Sequence, residues 1–400
     1  MTLKSLVFLI FTCTFASIQG QSFETILFQG KREFKLENYN KAYETFKKAS
    51  ALNPNDPEAH YFMGECLFKI NSPNAVHFPQ LSLEFTIWSS EEFEIASKLP
   101  YKKTNDMYKP DPYSGITNVW GAQALKYLYF NKKDSAKWAL KQGKARGGFG
   151  DFFMALNRLN IQKCRKNAFL FLEGDNYIFY CLYLQIVEKF RTDVKIVSPN
   201  LLNNFWYPNL LKNNFNIKFD LSNNEIDSCG EIEWKDSLMT INNFTWKIKP
   251  DSLCKCLWRQ DRLLLSILKQ NQLKDEINFT HRLFELNYLN LCDTIRDAYF
   301  LLRLGTFPVE LNFDDMKDYS QYLYLSDLIN HKSELELMEF SRIQVYFLYF
   351  IDLRLQYDSK EIAEKLMAVY DKHFEDYGHD YQNKYYKIYY DEVKQKLNKE

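Results

Sequence analysis

The feature that most restricts this fold is a spacing. From Gly30 the chain reads GKREFKLENYNKAYETFKKASALNP, which sets Gly30, Tyr39, Ala42, Phe46, Ala49 and Pro54 at the intervals that two antiparallel helices need. The small residues Gly30, Ala42 and Ala49 let the helices approach, and the aromatic rings of Tyr39 and Phe46 fill the groove between them. Pro54 ends the second helix because it has no N–H to donate. Gly64 follows Gly30 by 34 residues, the period of a second hairpin, although the pattern decays after Ile70 and an insert around Asn71 to Pro79 breaks it. A further copy begins at Trp120, with Ala124, Tyr127, Ala136, Leu140 and Gly143 at the same relative positions. One hairpin cannot bury its apolar face alone, so a stack is expected.

This pattern resembles the tetratricopeptide repeat. The resemblance implies helical hairpins over residues 21–150 and a concave surface that docks a protein segment. Between the copies, KLPYKKTNDMYKPDPYSG is rich in turn formers and reads as a long loop or cap. GKARGGFG, ending at Gly150, reads as a helix terminus and linker, since it lacks the Lys-Ser/Thr ending and the preceding strand of a phosphate loop.

The first twenty residues have the layout of a secretory leader: a positive charge at Lys4, the apolar run LVFLIF from Leu6 to Phe11, and a tail ending ASIQG. Cleavage is expected after Gly20, with Ala16 as the alternative. Cys13 follows Ile10-Phe11-Thr12, which does not fit a lipidation site. Apolar runs stay short of the roughly 20 residues a membrane span needs, and YIFYCLYLQIVEKF is interrupted by Gln185, Glu188 and Lys189. Fifty-one basic residues balance fifty-one acidic ones, so no overall field draws the chain onto nucleic acid. Past the leader stand seven cysteines, Cys66, Cys164, Cys181, Cys229, Cys254, Cys256 and Cys292, an odd number that leaves at least one thiol unpaired. The pair Cys254 and Cys256 lacks the second pair of ligands that structural zinc requires. Sequons stand at Asn243 and Asn278.

Past residue 150 the periodicity changes. AFLFLEG (168–174), an amphipathic stretch to Phe190 and VKIV (194–197) give strand, helix, strand, and a right-handed crossover makes the two strands parallel. LMTINNFTWKI alternates about Asn242-Asn243 and reads as a β-hairpin. From Trp258 the chain is helical again, through WRQDRLLLSILKQN, LNLCDTIRDAYFLLRL, SRIQVYFLYFIDLRLQ and KEIAEKLMAVYDKHFEDY, the last like the second helix of a degraded repeat.

The run KNAFLFLEGDNYIFYCLYLQIVEKFRTDVKIVSPNLLNNFWYPNLL resembles the soluble C-terminal region of bacterial membrane proteins similar to protein O-mannosyltransferases. Gly174, Asp175, Asn176, Phe179, Tyr183, Leu184, Gln185, Val187, Glu188, Arg191, Asp193, Val194, Val197, Trp206 and Tyr207 carry the likeness. A weaker one in RQDRLLLSILKQNQLKDEINF implies an aspartate before an apolar helix and a strand after it, so that the resemblance spans roughly residues 150–310. That family joins its soluble region to a multi-span membrane domain where glycosyl transfer occurs; here a leader and repeats precede instead. The Asp-Thr that follows GDN in the family is Tyr177-Ile178, and its Pro-Leu-Trp is Tyr180-Cys181-Leu182. The resemblance therefore implies a retained framework without the catalysis.

Glu173, Asp175 and Asp193 are the candidate paired carboxylates, since a strand end above a helix N-terminus is where α/β proteins place chemistry. The structural alternative is that Asp175 or Asn176 caps the following helix and Arg191 pairs with Asp193. The histidines, His60, His77, His281, His331, His373 and His379, fall in no ligand or triad spacing and read as surface or packing residues. Tyr377, Tyr381, Tyr385 and Tyr389 recur every four residues, a stripe for helix packing or for stacking a sugar ring. The expectation is an α+β, mostly α protein: a leader (1–20), a repeat domain (21–150), a small α/β domain (151–255) and a helical domain (256–400). Its expected role is that of an exported, non-catalytic adaptor or binding subunit of the cell envelope, without cofactor or metal, docking a protein or peptide partner. The alternative is an accessory factor or degenerate enzyme of surface glycosylation acting at the GDN strand end.

Overall fold

The computed structural model describes residues 22–72, 80–100, 111–172, 175–233, 237–241, 244–248, 256–272, 274–279, 360–374 and 383–399, with isolated helical positions at Leu348, Ile351 and Leu355. The mostly helical α+β class is as expected from the repeat spacing and the change of period after it. Among the described residues seven helices come first: α1 (Phe23–Lys35), α2 (Tyr39–Leu52), α3 (Pro57–Asn71), α4 (Leu83–Lys98), α5 (Pro112–Tyr129), α6 (Lys133–Ala145) and α7 (Asp151–Lys163). The first six pair into three hairpins, with α1, α3 and α5 stacked as neighbours in one layer. Each hairpin closes on a glycine. A Cβ at Gly30 would sit 2.6 Å from the Phe46 ring, one at Gly64 2.8 Å from Phe93, and one at Gly143 2.8 Å from Trp120. The second hairpin therefore survives its insert: Phe93 fills toward Gly64 the place that Phe46 fills toward Gly30, and Ser89 Oγ donates to the Gly64 carbonyl at 2.7 Å. The helix of the third hairpin starts inside the stretch read as a loop, whose residues 101–110 lie outside the described residues. Asp111 caps α5 by accepting from the Ser114 N–H, and Pro112 starts the helix, where its missing N–H costs nothing.

The corner at GKARGGFG is packed rather than free. Gly147 takes φ +102°, a conformation open to glycine, while Phe149 is fully buried and donates its N–H to Thr117 Oγ1 at 2.7 Å. Beyond it, β1 (Phe169–Phe171) and β2 (Lys195–Val197) pair in parallel across α8 (Asp175–Leu182) and a π-helical turn, Tyr183–Val187, as the strand–helix–strand order requires. A third parallel strand, β7 (Ile277–Phe279), lies on the other side of β1. The sheet thus takes in residues well past 255. Between β2 and β7 come α9 (Tyr207–Phe215), α10 (Asn223–Asp227), β3 (Ile232–Glu233), the hairpin β4 (Ser237–Ile241) with β5 (Phe244–Ile248), β6 (Cys256–Leu257) and α11 (Arg259–Asn271). In β4–β5, Ile241 is paired with Phe244, and Asn242-Asn243, read as the turn, lie outside the described residues. α12 (Lys360–Phe374) and α13 (Asn383–Lys399) pack together through stacked Tyr370 and Tyr390 rings, 5.3 Å apart. The expected helices at LNLCDTIRDAYFLLRL and over most of SRIQVYFLYFIDLRLQ lie outside the described residues, as do Tyr377, Tyr381 and the side chains of Tyr385 and Tyr389.

The α/β unit is seated on the third hairpin. Gly121 of α5 takes the flat of the Phe179 ring from α8, so closely that a Cβ there would lie 2.2 Å from it. α9 approaches the same helix, and Asn214 Nδ2 donates to the Leu128 carbonyl at 3.0 Å. One continuous apolar core runs from Ala42 and Phe46 of the repeat through Phe179 to Leu211 and Ile277 of the α/β unit.

Candidate functional site

A groove of about 810 Å³ lies in the repeat, on the face shared by α1 and the start of α3. α1 lines it with Phe23, Leu27 and Phe28 near its N-terminus and with Lys31, Arg32 and Lys35 toward its C-terminus. Phe28 is 72% exposed, an unusual position for so large an apolar ring. Two of the acids beside the groove are already engaged: Asp56 caps α3 by accepting from the Glu58 and Ala59 N–H groups, and Glu58 pairs with Lys31 at 2.5 Å. The exposed cations Arg32 and Lys35 lie at the basic end of α1. An apolar strip followed by exposed positive charge suits a segment with apolar side chains and an acidic end.

The repeat residues named from the sequence pack the stack rather than line the groove. Ala42, Phe46, Ala49, Ala124 and Ala136 are fully buried, and Trp120 nearly so, its Nε1–H donating to Ser90 Oγ at 2.9 Å. Tyr39 meets Phe34 edge-on, Tyr127 is half-buried, and Pro54 follows the end of α2. The groove residues, missed in the sequence, bear a signal there: apolar and then basic residues recurring on one face of α1.

Around the GDN segment the geometry is that of a brace. Glu173 and Gly174 lie outside the described residues, as do the side chains of Asp175 and Asn176, whose backbone opens α8. Arg191 and Asp193 come together as the structural alternative expects: Nε donates to Asp193 Oδ1 at 2.9 Å and Nη2 to Oδ2 at 2.8 Å. The same guanidinium donates to the carbonyls of Ile161, Gln162 and Arg165, closing the C-terminal end of α7. With this partner beside it, and with the Asn167 N–H also bonded, the Asp193 carboxyl is held down at about 2. Lys189 and Arg191 both have positive φ. Gln185, turned inward by the π-helical turn, holds that segment by donating to the Arg191 and Val194 carbonyls. Tyr207 is fully buried and its hydroxyl accepts from the Ser198 N–H at 3.1 Å, while Trp206, 5% exposed, packs edge-on against it.

Cys66, Cys164, Cys181 and Cys229 are free buried thiols and Cys256 is half-exposed; burial pushes the first three well above the usual thiol range. Cys254 and Cys292 lie outside the described residues. Asn278 sits inside β7, 4% exposed, and its amide donates to the Phe169 carbonyl and to Glu276, so this sequon is closed to a glycosylating enzyme in the folded chain. Asn243 lies outside the described residues. His60 is a packing residue beside an acid: its Nδ1 meets Glu92 at 2.7 Å and its Nε2 the Pro54 carbonyl at 3.2 Å, and the glutamate raises its pKa.

The family described as TPR repeat matches residues 30–71. A second family, described as TMEM260-associated domain 2, matches residues 154–217. This match spans the GDN stretch under a different family name and does not show the likeness to bacterial O-mannosyltransferase-like proteins. No curated protein and no solved structure matches the chain. The chain carries a tetratricopeptide-type helical region, a module that generally mediates contacts between proteins, and among the described residues no helix is long and apolar enough to cross a membrane.

Proposed function

We propose that this chain is an exported, non-catalytic adaptor of the cell envelope that docks a protein segment in the α1–α3 groove. One observation carries the choice of surface. α5, the counterpart of α1 in the third hairpin, is enclosed by α8 and α9, whereas α1 presents Phe28, Arg32 and Lys35 to solvent. The partner segment offers apolar side chains to Phe23, Leu27 and Phe28 and acidic ones to Arg32 and Lys35. Export rests on the leader from Lys4 to Gly20. The non-catalytic reading rests on Arg191 and Asp193, which are spent on each other and on the end of α7. A tagged mature chain and its Phe28→Glu/Lys35→Glu variant, each mixed with envelope extract, test this by mass spectrometry of what co-purifies. Proteins retained by the wild type and lost by the variant are expected. An identical set from both would contradict the groove, and an intact Met1 on a cytoplasmic protein would contradict export.

A further inference from the structure

A buried arginine with unmatched donors stands in the α/β unit, at the N-terminal end of α11. Arg259 stands at the first position of this helix, 6% exposed. Its Nη1 donates to the Ile226 and Cys229 carbonyls, both at 2.6 Å, which fixes the plane of the guanidinium. Its Nε and Nη2 are buried and have no acceptor. Leaving buried donors unmatched is costly, more so on a charged group, so folded chains keep few of them. Arg191 shows in the same molecule what fits this edge: there Nε and Nη2 hold the two oxygens of Asp193 side by side. Two described acids close to Arg259 in the chain or in its field do not serve. Asp261 is spent on the Trp258 N–H at 2.7 Å, and Asp227 is exposed and forms no hydrogen bond to the guanidinium.

We propose that the Nε/Nη2 edge of Arg259 is a receptor for the carboxylate of a ligand, with Phe205 as its cover and Trp258 beside it. The Phe205 ring lies over the guanidinium, 4.3 Å from the Cζ to the ring centroid, and is itself 51% exposed, so on that side one surface side chain separates the guanidinium from solvent. Trp258, next in the chain, is 49% exposed and gives the ligand an aromatic face. The planar fork of arginine matches a carboxylate with two parallel hydrogen bonds, which a lysine cannot do. The N-terminus of α11, thirteen residues long, adds a favourable field for an anion.

The test follows the arginine Nε–H resonances of the full mature chain by NMR. The probes are N-acetylglutamate methylamide, as a peptide carboxylate, and glucuronate, as a sugar acid. N-acetylglutamine methylamide, glucose and inorganic phosphate are the controls. The Arg259 resonance, assigned by its loss in Arg259→Lys, should move saturably with at least one carboxylate, and which of the two binds more tightly distinguishes a peptide from a sugar source. The Arg191 resonance, whose edge is filled, should stay in place. In calorimetry Arg259→Lys should bind the preferred probe roughly tenfold more weakly, the loss expected for a charged hydrogen bond. If that variant does not fold, Phe205→Ala replaces it: it leaves the bonds of Arg259 intact and should bind at least as tightly as wild type. The proposal is overturned if neither carboxylate moves Arg259, if phosphate moves it more than either, if Arg259→Lys binds as tightly as wild type, or if Phe205→Ala binds more weakly.

Discussion

The first and third hairpins share one spacing and end in opposite surroundings. In α1 only Ile26, Gly30 and Glu33 are buried, out of thirteen residues. In α5 thirteen of eighteen are buried, among them Gly121, Leu125 and Leu128 on the side that α8 and α9 cover. The difference lies in what the chain does next. After α6 it returns through the corner at Phe149 and lays its α/β unit on α5, which encloses that helix, whereas α1 at the other end of the stack has no such neighbour among the described residues. The repeat pattern specifies the hairpin, and later segments decide whether its outer face is core or docking surface.

The comparison breaks most visibly at Phe179. Phe179→Ala should cost about 3–5 kcal/mol, the usual loss for a fully packed phenylalanine, because Gly121 supplies no side chain to fill the space. Chemical denaturation with tryptophan fluorescence reads it. If the cost were below about 1 kcal/mol, within the range of surface substitutions or little more, α8 would not be an essential cover of α5.

Next in size is the brace that orients α8 and β2. Asp193→Asn should cost about 1–2 kcal/mol at neutral pH, an exposed fraction of 27% having been allowed for. The depressed carboxyl makes this a contribution that is full above the ordinary carboxylate value and lost as pH falls toward 2. The wild type should therefore lose stability over that acid range more steeply than Asp193→Asn, and parallel curves would contradict the pairing.

In the second hairpin His60 sharpens the contrast on a smaller scale. Its pKa is raised by Glu92, so the pair stabilises the fold fully below the ordinary imidazole value of about 6.5 and the benefit is lost as pH rises through the raised value. Its worth should be below about 1 kcal/mol, as for partly exposed pairs. Melting temperatures of wild type and His60→Gln across neutral pH test it: the variant's curve should be the flatter. Smallest of all, Phe28→Ala should change stability by no more than about 0.5 kcal/mol while removing the groove's most exposed apolar contact; a larger loss would make Phe28 a core residue.

The hairpins were legible because their contacts are local: Phe46 follows Gly30 by sixteen residues, within one repeat. The second was harder to follow because Phe93 follows Gly64 by twenty-nine, the insert having moved it out of register. Strand, helix, strand was readable from the change in period at Ala168, and the pairing of Arg191 with Asp193 from their separation by one residue. The seat of Phe179 on Gly121 joins positions far apart in the chain, and no periodicity points from one to the other. The candidate sites divide in the same way. The α1 groove was written in one helical face, whereas the open edge of Arg259 depends on which carbonyls the fold happens to bring to Nη1, and its sequence context reads only as the start of a helix.

The central claim is that α5 and the α/β unit form one cooperative body while α1 remains an open edge of the stack. Hydrogen–deuterium exchange of the full mature chain, compared with Phe179→Ala, measures this directly. The account predicts that amides of α5 and α8 exchange with the same opening free energy, that α1 exchanges faster, and that Phe179→Ala lowers α5 and α8 together. Unchanged protection of α5 in that variant, or protection of α1 equal to that of α5 in the wild type, would contradict it.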